Sequence, residues 1–297
     1  MTAGRGERTV VRRVFPRLAR GIRDLRGLGP RLGAIGALEL RLATTKKEIR
    51  KAQKLRYRVF FEEGGATADP TARLIRRDVC PFDRVCDHLV VIDHAAPGGA
   101  EKVVGAYRLL RQDVAEAHFG FYSADEFDIA PMIARHPGAR FLELGRSCVA
   151  PAYRDKPTLE LLWRGVWAYV RHHRIDAMFG CASLEGSDPA AHAAALALLA
   201  RSAAAPAEWT AAAAGRRGVA IAEICAPAAP IEARAAARAL PPLIRGYWRL
   251  GAKFGAQTVV DPKFGTTDVF VIMPVANIDP RYVAHFGPRR EAAPLAA

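Results

Sequence analysis

The sequence predicts a mixed α/β fold arranged around one sheet. Segments with strand-like alternation or short apolar runs are separated by segments with apolar residues at helical spacing, and no internal repeat interrupts this pattern. Hydrophobic residues make up 51% of the 297 residues and charged residues 25%, which is enough apolar material for a sizeable core. The chain is therefore expected to form one large or two small globular units.

The predicted strands and helices alternate along the chain. Strands are expected at residues 38–42, 88–93, 103–110, 141–149, 177–183, 257–261 and 268–273. Helices are expected at residues 46–61, 158–172, 190–214, 227–239 and 243–250. A turn at residues 95–99 predicts that the strands on either side of it form a hairpin.

The N-terminal segment has two chemically different faces. On a helical wheel over residues 10–28, the apolar side chains fall within about 140° of one another and six arginines fall opposite. This pattern predicts a helix that lies on an anionic membrane surface. A solvated helix packed on the domain, or a frayed basic tail, is the alternative, because Pro16, Gly21 and Gly27 disfavour an isolated helix.

Glycines concentrated in residues 27–36 predict a linker after this segment. The sequence therefore divides into a basic amphipathic arm with its linker (residues 1–37), a main globular domain (residues 38–287) and a loose C-terminal tail (residues 288–297).

The charge and the cysteines limit the class of protein. The formal net charge is +14, half of it from nine arginines and two acidic residues in residues 1–36, which implies an anionic partner. The arm is aliphatic rather than aromatic between its arginines, which favours acidic lipid or an acidic carrier protein over nucleic acid. Five cysteines without CxxC spacing, and no apolar signal segment, indicate the cytoplasm. No uninterrupted apolar run is long enough to span a bilayer.

Charged residues cluster beside the predicted apolar strands. They are Arg56, Asp83, Asp87, Arg108, Glu143 and Arg146. Glu143 alternates with apolar neighbours, so its side chain is expected on the opposite face of its strand. Acylation of an amine needs a carboxylate to hold or deprotonate the ammonium group, which Glu143, Asp83 or Asp87 can supply. A buried ion-pair network that joins Glu143 to Arg56 or Arg108 is the alternative.

Two basic residues precede the helix predicted at residues 158–172. Arg154 and Lys156 lie in the loop between that helix and the preceding strand. A helix start offers free N–H groups and a positive dipole, so this loop is a candidate phosphate site.

Three other patterns favour structural roles. His88 and Asp93 have HxxxxD spacing, but residues five apart on a strand face opposite sides of a sheet. Cys80 and Cys86 with His88 lack a second ligand pair for zinc. Cys148 is interpreted as a small core residue rather than as a thioester-forming nucleophile.

Several blocks of sequence together resemble acyl-homoserine-lactone synthases of the GNAT superfamily. A closer resemblance is to their relatives, the ornithine lipid-forming N-acyltransferases, also described as hemolysin-like GNAT proteins. The blocks that carry it are residues 55–60, 83–91, 105–109, 120–123, 126–127, 143–149, 162–165 and 179–183. The resemblance covers residues 38–287, and no single block would establish it alone.

The resemblance implies a GNAT fold, with a twisted mixed sheet splayed at its centre, and an N-acyltransferase activity. A 3-hydroxyacyl group would pass from acyl carrier protein to the α-amino group of L-ornithine and give lyso-ornithine lipid, a membrane product. The implied enzyme has no metal and no tightly bound cofactor, since the acyl-phosphopantetheine thioester is the donor. An acyl-homoserine-lactone synthase, or an N-acyltransferase for another amino acid, is the alternative.

Residues matching the family blocks would have the roles of those blocks. Glu143 would act as base or amine holder together with Arg146, and Asp83 and Asp87 would organise the amino-acid site. Arg56, Phe60 and Arg108 would bind substrate. Arg154 and Lys156 would meet the pantetheine phosphate, which is an inference from the helix start and not from a family motif. The Gly-rich loop typical of acetyl-CoA-using members is missing between Val149 and Thr158, which favours a carrier-protein donor.

Overall fold

The computed structural model describes residues 25–96, 101–215, 217–225 and 232–282. Eleven strands lie within these ranges: β1 (Arg31–Ile35), β2 (Leu38–Leu42), β3 (Asp87–Asp93), β4 (Lys102–Arg111), β5 (Phe127–Asp128), β6 (Phe141–Val149), β7 (Ala177–Glu185), β8 (Ala212–Ala213), β9 (Gly218–Ala220), β10 (Lys253–Asp261) and β11 (Thr266–Pro274). Nine of them form one sheet in the order β1-β2-β3-β4-β6-β7-β11-β10-β9, and β5 pairs separately with β8. The predicted α/β class is confirmed.

The sheet is antiparallel except where β6 meets β7. These two strands run parallel over only three residue pairs, and the last pair joins Glu143 to Phe179. Beyond that pair β6 continues beside β4, while β7 continues beside β11. The sheet therefore opens at its centre immediately after Glu143.

The described helices lie between the strands. They are α1 (Lys46–Tyr57), α2 (Pro70–Ile75), α3 (Gln112–Ala117), α4 (Ala130–Ala134), α5 (Lys156–His173), α6 (Ala193–Ser202), α7 (Ile221–Ile224), α8 (Ala233–Ala239) and α9 (Pro242–Arg249). A π-helical turn, Arg58–Glu63, directly continues α1. A 3₁₀ turn, Tyr122–Asp125, lies between α3 and β5.

Helix α5 covers one face of the sheet and α1 covers the other. The apolar side of α5 packs in the large core cluster with residues of β2, β3 and β4. A Cβ on Gly165 would lie 2.7 Å from a methyl of Leu89, so glycine lets α5 approach the sheet closely. Helix α1 starts at a capping box between Thr45 and Glu48 and buries Ala52 and Leu55 in a second cluster.

An aromatic cluster fixes the 3₁₀ turn Tyr122–Asp125 against the sheet. Phe121 and Phe127 flank the turn, and both are buried. The ring of Phe121 lies 4.9 Å from that of Phe179, and the ring of Phe127 lies 5.7 Å from that of Phe270. Aromatic pairs at these separations are attractive beyond the area they bury. The turn is thus held above β7 and β11, beside the opening in the sheet.

Parts of the sequence interpretation need correction. A helix was expected at residues 10–28, and residues 10–24 lie outside the described residues. The remaining part is not helical, because residues 25–28 form a turn in which the N–H of Leu28 donates to the carbonyl of Leu25. The linker expected up to residue 37 contains β1, which pairs with β2. Leu25 is buried in the core, so the described fold begins before residue 38. The tail, residues 288–297, lies outside the described residues.

The alanine-rich stretch at residues 190–214 also differs from its prediction. It forms a helix only over Ala193–Ser202, followed by a 3₁₀ turn and the short strand β8. Pairing of β8 with β5 outweighs the high helix propensity of alanine there. Among the described helices, none has the length and apolar composition needed to cross a membrane.

Candidate active site

A pocket of about 300 Å³ lies where β6 and β7 separate. One wall comes from residues 143–147 of β6, and the facing wall comes from Cys181, Ser183 and Glu185 of β7. The 3₁₀ turn, the π-helical turn and α9 close the remaining sides. The volume matches the lower end of the range for small-molecule sites.

A β-bulge shapes the β6 wall. Between the pairs Ala106 with Cys148 and Arg108 with Gly145, Tyr107 of β4 lies opposite two residues of β6. One of these two is Arg146, whose φ of 51° is in the left-handed region. Bulges redirect side chains and often occur next to active sites. The unusual backbone of Arg146 therefore turns β6 where the pocket begins.

Arg146 lies between two aromatic rings of the pocket. Its guanidinium carbon is 4.6 Å from the ring centroid of Tyr122 and 4.3 Å from that of Phe264. Nη2 donates a hydrogen bond to the Tyr122 hydroxyl (3.0 Å), and Nε is 3.3 Å from Oδ2 of Asp78. Cation–π contacts of this kind hold a guanidinium firmly when it is desolvated. A positive charge is thus fixed at the wall next to Glu143.

Glu143 is buried at the pocket and is held by the 3₁₀ turn. Its Oε1 accepts hydrogen bonds from the backbone N–H (2.6 Å) and the Oγ (2.5 Å) of Ser123, and its Oε2 accepts one from the N–H of Tyr122 (2.8 Å). Burial raises the pKa of Glu143, and these hydrogen bonds limit the rise. The carboxylate is fixed in orientation and its proton affinity is increased, as suits a base or an amine holder.

Three further carboxyl groups meet at the lining of the pocket. Glu126 follows the 3₁₀ turn, Asp261 ends β10, and Asp268 belongs to β11, and one oxygen of each lies within 4.8 Å of the others. Burial, followed by repulsion from Asp268, raises the pKa of Glu126 to about 8. Burial likewise raises the pKa of Asp268. We call these three residues the acidic triad.

Two tyrosine hydroxyls also border the pocket. The hydroxyls of Tyr107 and Tyr247 are 2.5 Å apart, which is a short hydrogen bond between β4 and α9. Burial raises the pKa of both. Each therefore remains protonated at neutral pH and can donate a proton to a stronger base.

Arg56 and Asp83 lie behind the pocket rather than in it. Nη1 and Nη2 of Arg56 each donate to one oxygen of Asp83 at 2.8 Å, and Nε of Arg56 is 2.9 Å from Oδ2 of Asp78. Burial alone would raise the pKa of Asp83, but the charge and hydrogen bonds of Arg56 lower it well below its usual value. Asp78 also contacts Arg146, so this network supports the guanidinium that reaches the pocket.

Arg108 belongs to the same network and Asp87 to a different one. Arg108 is buried, with Nη1 at 3.6 Å from Oδ1 of Asp83 and its guanidinium 5.0 Å from the Tyr122 ring. Oδ2 of Asp87 accepts hydrogen bonds from Arg111 (3.0 Å) and from the hydroxyl of Tyr169 on α5 (2.6 Å).

The contacts of the expected site residues divide them into two groups. Glu143, Arg146 and Phe60 line the pocket. Asp83, Asp87, Arg56 and Arg108 are held by ion pairs outside its lining, so the expectation that the two aspartates grip the amine directly is not met by their positions. The alternative, that Glu143 pairs with Arg56 or Arg108, is also not observed as a direct contact, because Glu143 bonds to the 3₁₀ turn.

At the start of α5, one of the two basic residues is paired with a carboxylate and the helix is capped by another. Arg154 pairs with Glu63, and Asp155 caps the helix by accepting from the N–H of Thr158. Lys156 lines a separate surface cavity next to β1. A carboxylate at the helix start competes with a phosphate for the same N–H groups. The expected roles of Arg154 and Lys156 remain predictions.

The core interpretation of Cys148 is confirmed. Its side chain is buried in the cluster that contains Leu55. Burial raises the pKa of its thiol to about 12, so it carries no thiolate at neutral pH. His88 and Asp93 have separate partners, the carbonyl of Asp83 and the hydroxyl of Tyr153.

Sequence reasoning missed the acidic triad and gave the 3₁₀ turn no role. A signal was present, because Glu126 and Asp268 each stand next to apolar residues that pack in the core. Charged residues in such positions need partners or a wet cleft. Asp261 and Asp268 lie on either side of the turn between β10 and β11, whereas Glu126 is more than one hundred residues earlier. Sequence spacing alone therefore did not group the three residues.

Comparisons with known proteins show the family of this chain. The acetyltransferase (GNAT) domain model matches residues 55–164. The L-ornithine N(alpha)-acyltransferase of Agrobacterium fabrum is 51% identical over 87% of this chain and 88% of its own length. The enzyme of the same name from Brucella abortus is 48% identical over 86% of this chain and 91% of its own. This chain belongs to the L-ornithine N(alpha)-acyltransferase family.

Membership of this family makes the chain an acyltransferase with a GNAT fold. Among solved structures, that of a CoA-dependent acyl-homoserine lactone synthase, MesI, aligns with 81% of this chain and 86% of its own chain. The identity is 13% and the TM-score is 0.41, so we draw no conclusion from this similarity. In an L-ornithine N(alpha)-acyltransferase family member, the pocket at the opening of the sheet is the candidate active site.

Proposed function

We propose that this protein transfers a 3-hydroxyacyl group from acyl carrier protein to the α-amino group of L-ornithine and so forms lyso-ornithine lipid. The observation that carries the proposal is the position of Glu143, the last residue of β6 paired with β7, at the mouth of the opening and beside Arg146. A slot between two strands suits an acyl-pantetheine arm. A buried carboxylate next to a fixed guanidinium suits the amine and the carboxylate of an amino acid.

The reaction joins nitrogen to carbon and releases a thiol. Glu143 takes a proton from the α-ammonium group, directly or through a water molecule, and the free amine attacks the thioester carbonyl carbon. The N–C bond forms, backbone N–H groups at the opening stabilise the oxyanion, and the C–S bond then breaks. The hydroxyl pair of Tyr107 and Tyr247 lines the same pocket and is the candidate donor of a proton to the leaving thiolate. The second proton that the nitrogen loses as the C–S bond breaks then restores the donating hydroxyl.

Substrate contacts follow from the lining of the pocket. Phe60 and the aromatic rings around Arg146 supply an apolar wall for the pantetheine arm or the first carbons of the acyl chain. Arg146 faces the α-carboxylate. Arg56, Arg108, Asp83 and Asp87 act at a distance, by holding the elements that carry these groups.

Charge supports a carrier protein as the donor. Acyl carrier proteins are acidic, and the net charge of +14 steers an acidic protein towards this one. Arg154 and Lys156 would then lie near the phosphate of the pantetheine arm, with the pair of Arg154 and Glu63 opening on docking.

An assay with purified components tests this activity. The protein is incubated with labelled L-ornithine and either 3-hydroxyacyl carrier protein or the matching acyl-CoA, and the product is identified by mass spectrometry. We expect an Nα-acylated ornithine, formed faster from the carrier protein. Replacing ornithine with S-adenosylmethionine provides the comparison, because formation of a homoserine lactone without any ornithine lipid would reject the proposal.

The proposed product is a lipid, so we also propose that the protein works at the cytoplasmic face of the membrane through its basic arm. Residues 1–24 of the arm lie outside the described ranges, and a deletion must spare Leu25 and β1 because both belong to the fold. A chain lacking residues 1–24 is therefore expected to retain transfer to soluble ornithine and to lose sedimentation with vesicles containing anionic lipid. Equal sedimentation of the two chains would reject the arm as the anchor.

A further inference from the structure

The acidic triad places three carboxyl groups at the pocket. The side chains of Glu126 and Asp268 are only 6% and 4% exposed. Neither forms an ion pair with any lysine or arginine in the described part of the chain. The two carboxyl groups interact with each other and with Cys181, Ser183 and Thr266, but one oxygen of each, Oε2 of Glu126 and Oδ1 of Asp268, is buried without a hydrogen-bond partner. Buried carboxylates in this condition are costly unless a cation or a proton reaches them.

The three residues come from separate elements and line the same cavity as Glu143. Glu126 directly follows the 3₁₀ turn, while Asp261 and Asp268 belong to the neighbouring strands β10 and β11. The turn connects the two acidic sites, because Ser123 holds Glu143 and the N–H of Glu126 donates to the carbonyl of Ser123.

The triad offers the number of acceptors that a primary ammonium needs. An ammonium group has three N–H donors, and one oxygen of each of the three carboxyl groups can accept one of them. Calcium and magnesium also bind oxygen ligands, so a metal ion at the triad is an outcome that the chelation experiment below distinguishes.

We infer that Glu126, Asp261 and Asp268 form the subsite that recognises the side-chain ammonium of a dibasic amino acid. This rests on the proposed function and extends it, since it assigns the two ends of the acceptor. The α-amino group lies at Glu143, the α-carboxylate at Arg146, and the side chain crosses the pocket to the triad. The triad thereby selects a diamino acid over a neutral amino acid of the same length, and keeps the second amine away from the thioester.

Recognition by charge is tested with a pair of acceptors that differ only in the second amine. L-Norvaline has the carbon chain of L-ornithine but lacks its side-chain nitrogen. Removal of one member of a buried charge pair weakens binding strongly. We therefore expect the wild-type kcat/KM for ornithine to exceed that for norvaline by about 100-fold or more.

Neutral isosteres of the triad give the decisive comparison. Glu126→Gln and Asp268→Asn should each lower kcat/KM for ornithine by about 10- to 100-fold, mainly through a higher KM, and leave that for norvaline within about threefold. Asp125→Asn is the matched control, because Asp125 is in the same turn and is exposed. Asp125→Asn makes the same carboxyl-to-amide change in the same turn, and it should leave kcat/KM unchanged for both ornithine and norvaline.

Other outcomes overturn the inference and are separable from the proposed function. If both variants lose ornithine and norvaline turnover equally, the triad has no part in side-chain recognition even though wild-type acylation of ornithine stands. Product acylated on the side-chain nitrogen, or ornithine selectivity that disappears on chelation and returns with a divalent metal, would also overturn it. Ornithine-induced thermal stabilisation, lost in the two variants and kept in Asp125→Asn, provides a second measurement independent of turnover.

Discussion

Ser123 donates two hydrogen bonds to one oxygen of Glu143, one from its backbone N–H and one from its hydroxyl. The first fixes the carboxylate by the fold itself, and the second adds a side chain that can be removed without changing the backbone. These two hydrogen bonds link the candidate base to the turn that precedes Glu126, and substitutions of Ser123 and Glu143 test their effect on acyl transfer.

Ser123→Ala should move the pH dependence of acyl transfer upwards. The hydroxyl hydrogen bond lowers the pKa of Glu143, so its loss raises that pKa further above the ordinary carboxyl value. A base must be deprotonated, and the acidic limb of the kcat/KM profile should therefore shift to higher pH while the plateau is largely retained. An unchanged acidic limb would mean that another group titrates in the profile.

Glu143→Gln should remove most of the activity and little of the fold. The amide cannot take a proton, and its NH₂ group would face a backbone N–H donor in either orientation, that of Ser123 or that of Tyr122. We expect kcat to fall by about 10²- to 10⁴-fold. Circular dichroism and thermal unfolding serve as the check on folding. Activity near that of the wild type would show that Glu143 is not the base.

The network behind the pocket should matter for stability more than for chemistry. Arg56→Met leaves Asp83 and Asp78 buried without their main counter-charge, and breaking a buried pair in this way costs about 3–5 kcal/mol of unfolding free energy. Arg76→Met removes a largely exposed pair with Glu62 and should cost no more than about 1 kcal/mol. Urea unfolding measures the unfolding free energy of both variants. Equal losses of unfolding free energy in Arg56→Met and Arg76→Met would contradict a structural role for Arg56.

Much of the fold could be predicted from the sequence, because periodicity reports local structure. The predicted strands all exist, and Glu143 does face the pocket side of β6. The contacts of Asp83 could not be predicted, since its bidentate pairing with Arg56 depends on how α1 packs against the sheet. The left-handed backbone of Arg146 could not be predicted either, because arginine has no preference for that region and only the bulge opposite Tyr107 requires it.

The acidic triad should make the unliganded protein less stable as the pH rises. The pKa of Glu126 is raised by burial and by the neighbouring Asp268 and Asp261, and a hydrogen bond with Cys181 opposes the rise. Between the unfolded carboxyl pKa and about 8, the folded state binds the extra proton, so unfolding free energy falls with rising pH by up to about 1.4 kcal/mol per unit for one group. Glu126→Gln should flatten this slope in urea titrations at pH 5–8. A slope that is the same in the variant would assign it to other groups.

Gly180 controls how closely β6 and β7 approach at the point where they separate. A Cβ at this position would lie 2.4 Å from the carbonyl oxygen of Leu144, and a backbone atom cannot yield as the tip of a side chain does. Gly180→Ala should therefore push the strands apart, lower the unfolding free energy by about 1–3 kcal/mol and raise the KM for the acyl donor, since the slot between the strands changes shape. Gly29→Ala is the matched control, because a Cβ there meets nothing within 4 Å and should leave both quantities unchanged. If Gly180→Ala is destabilised but keeps the wild-type KM for the donor, the arm does not enter between these two strands.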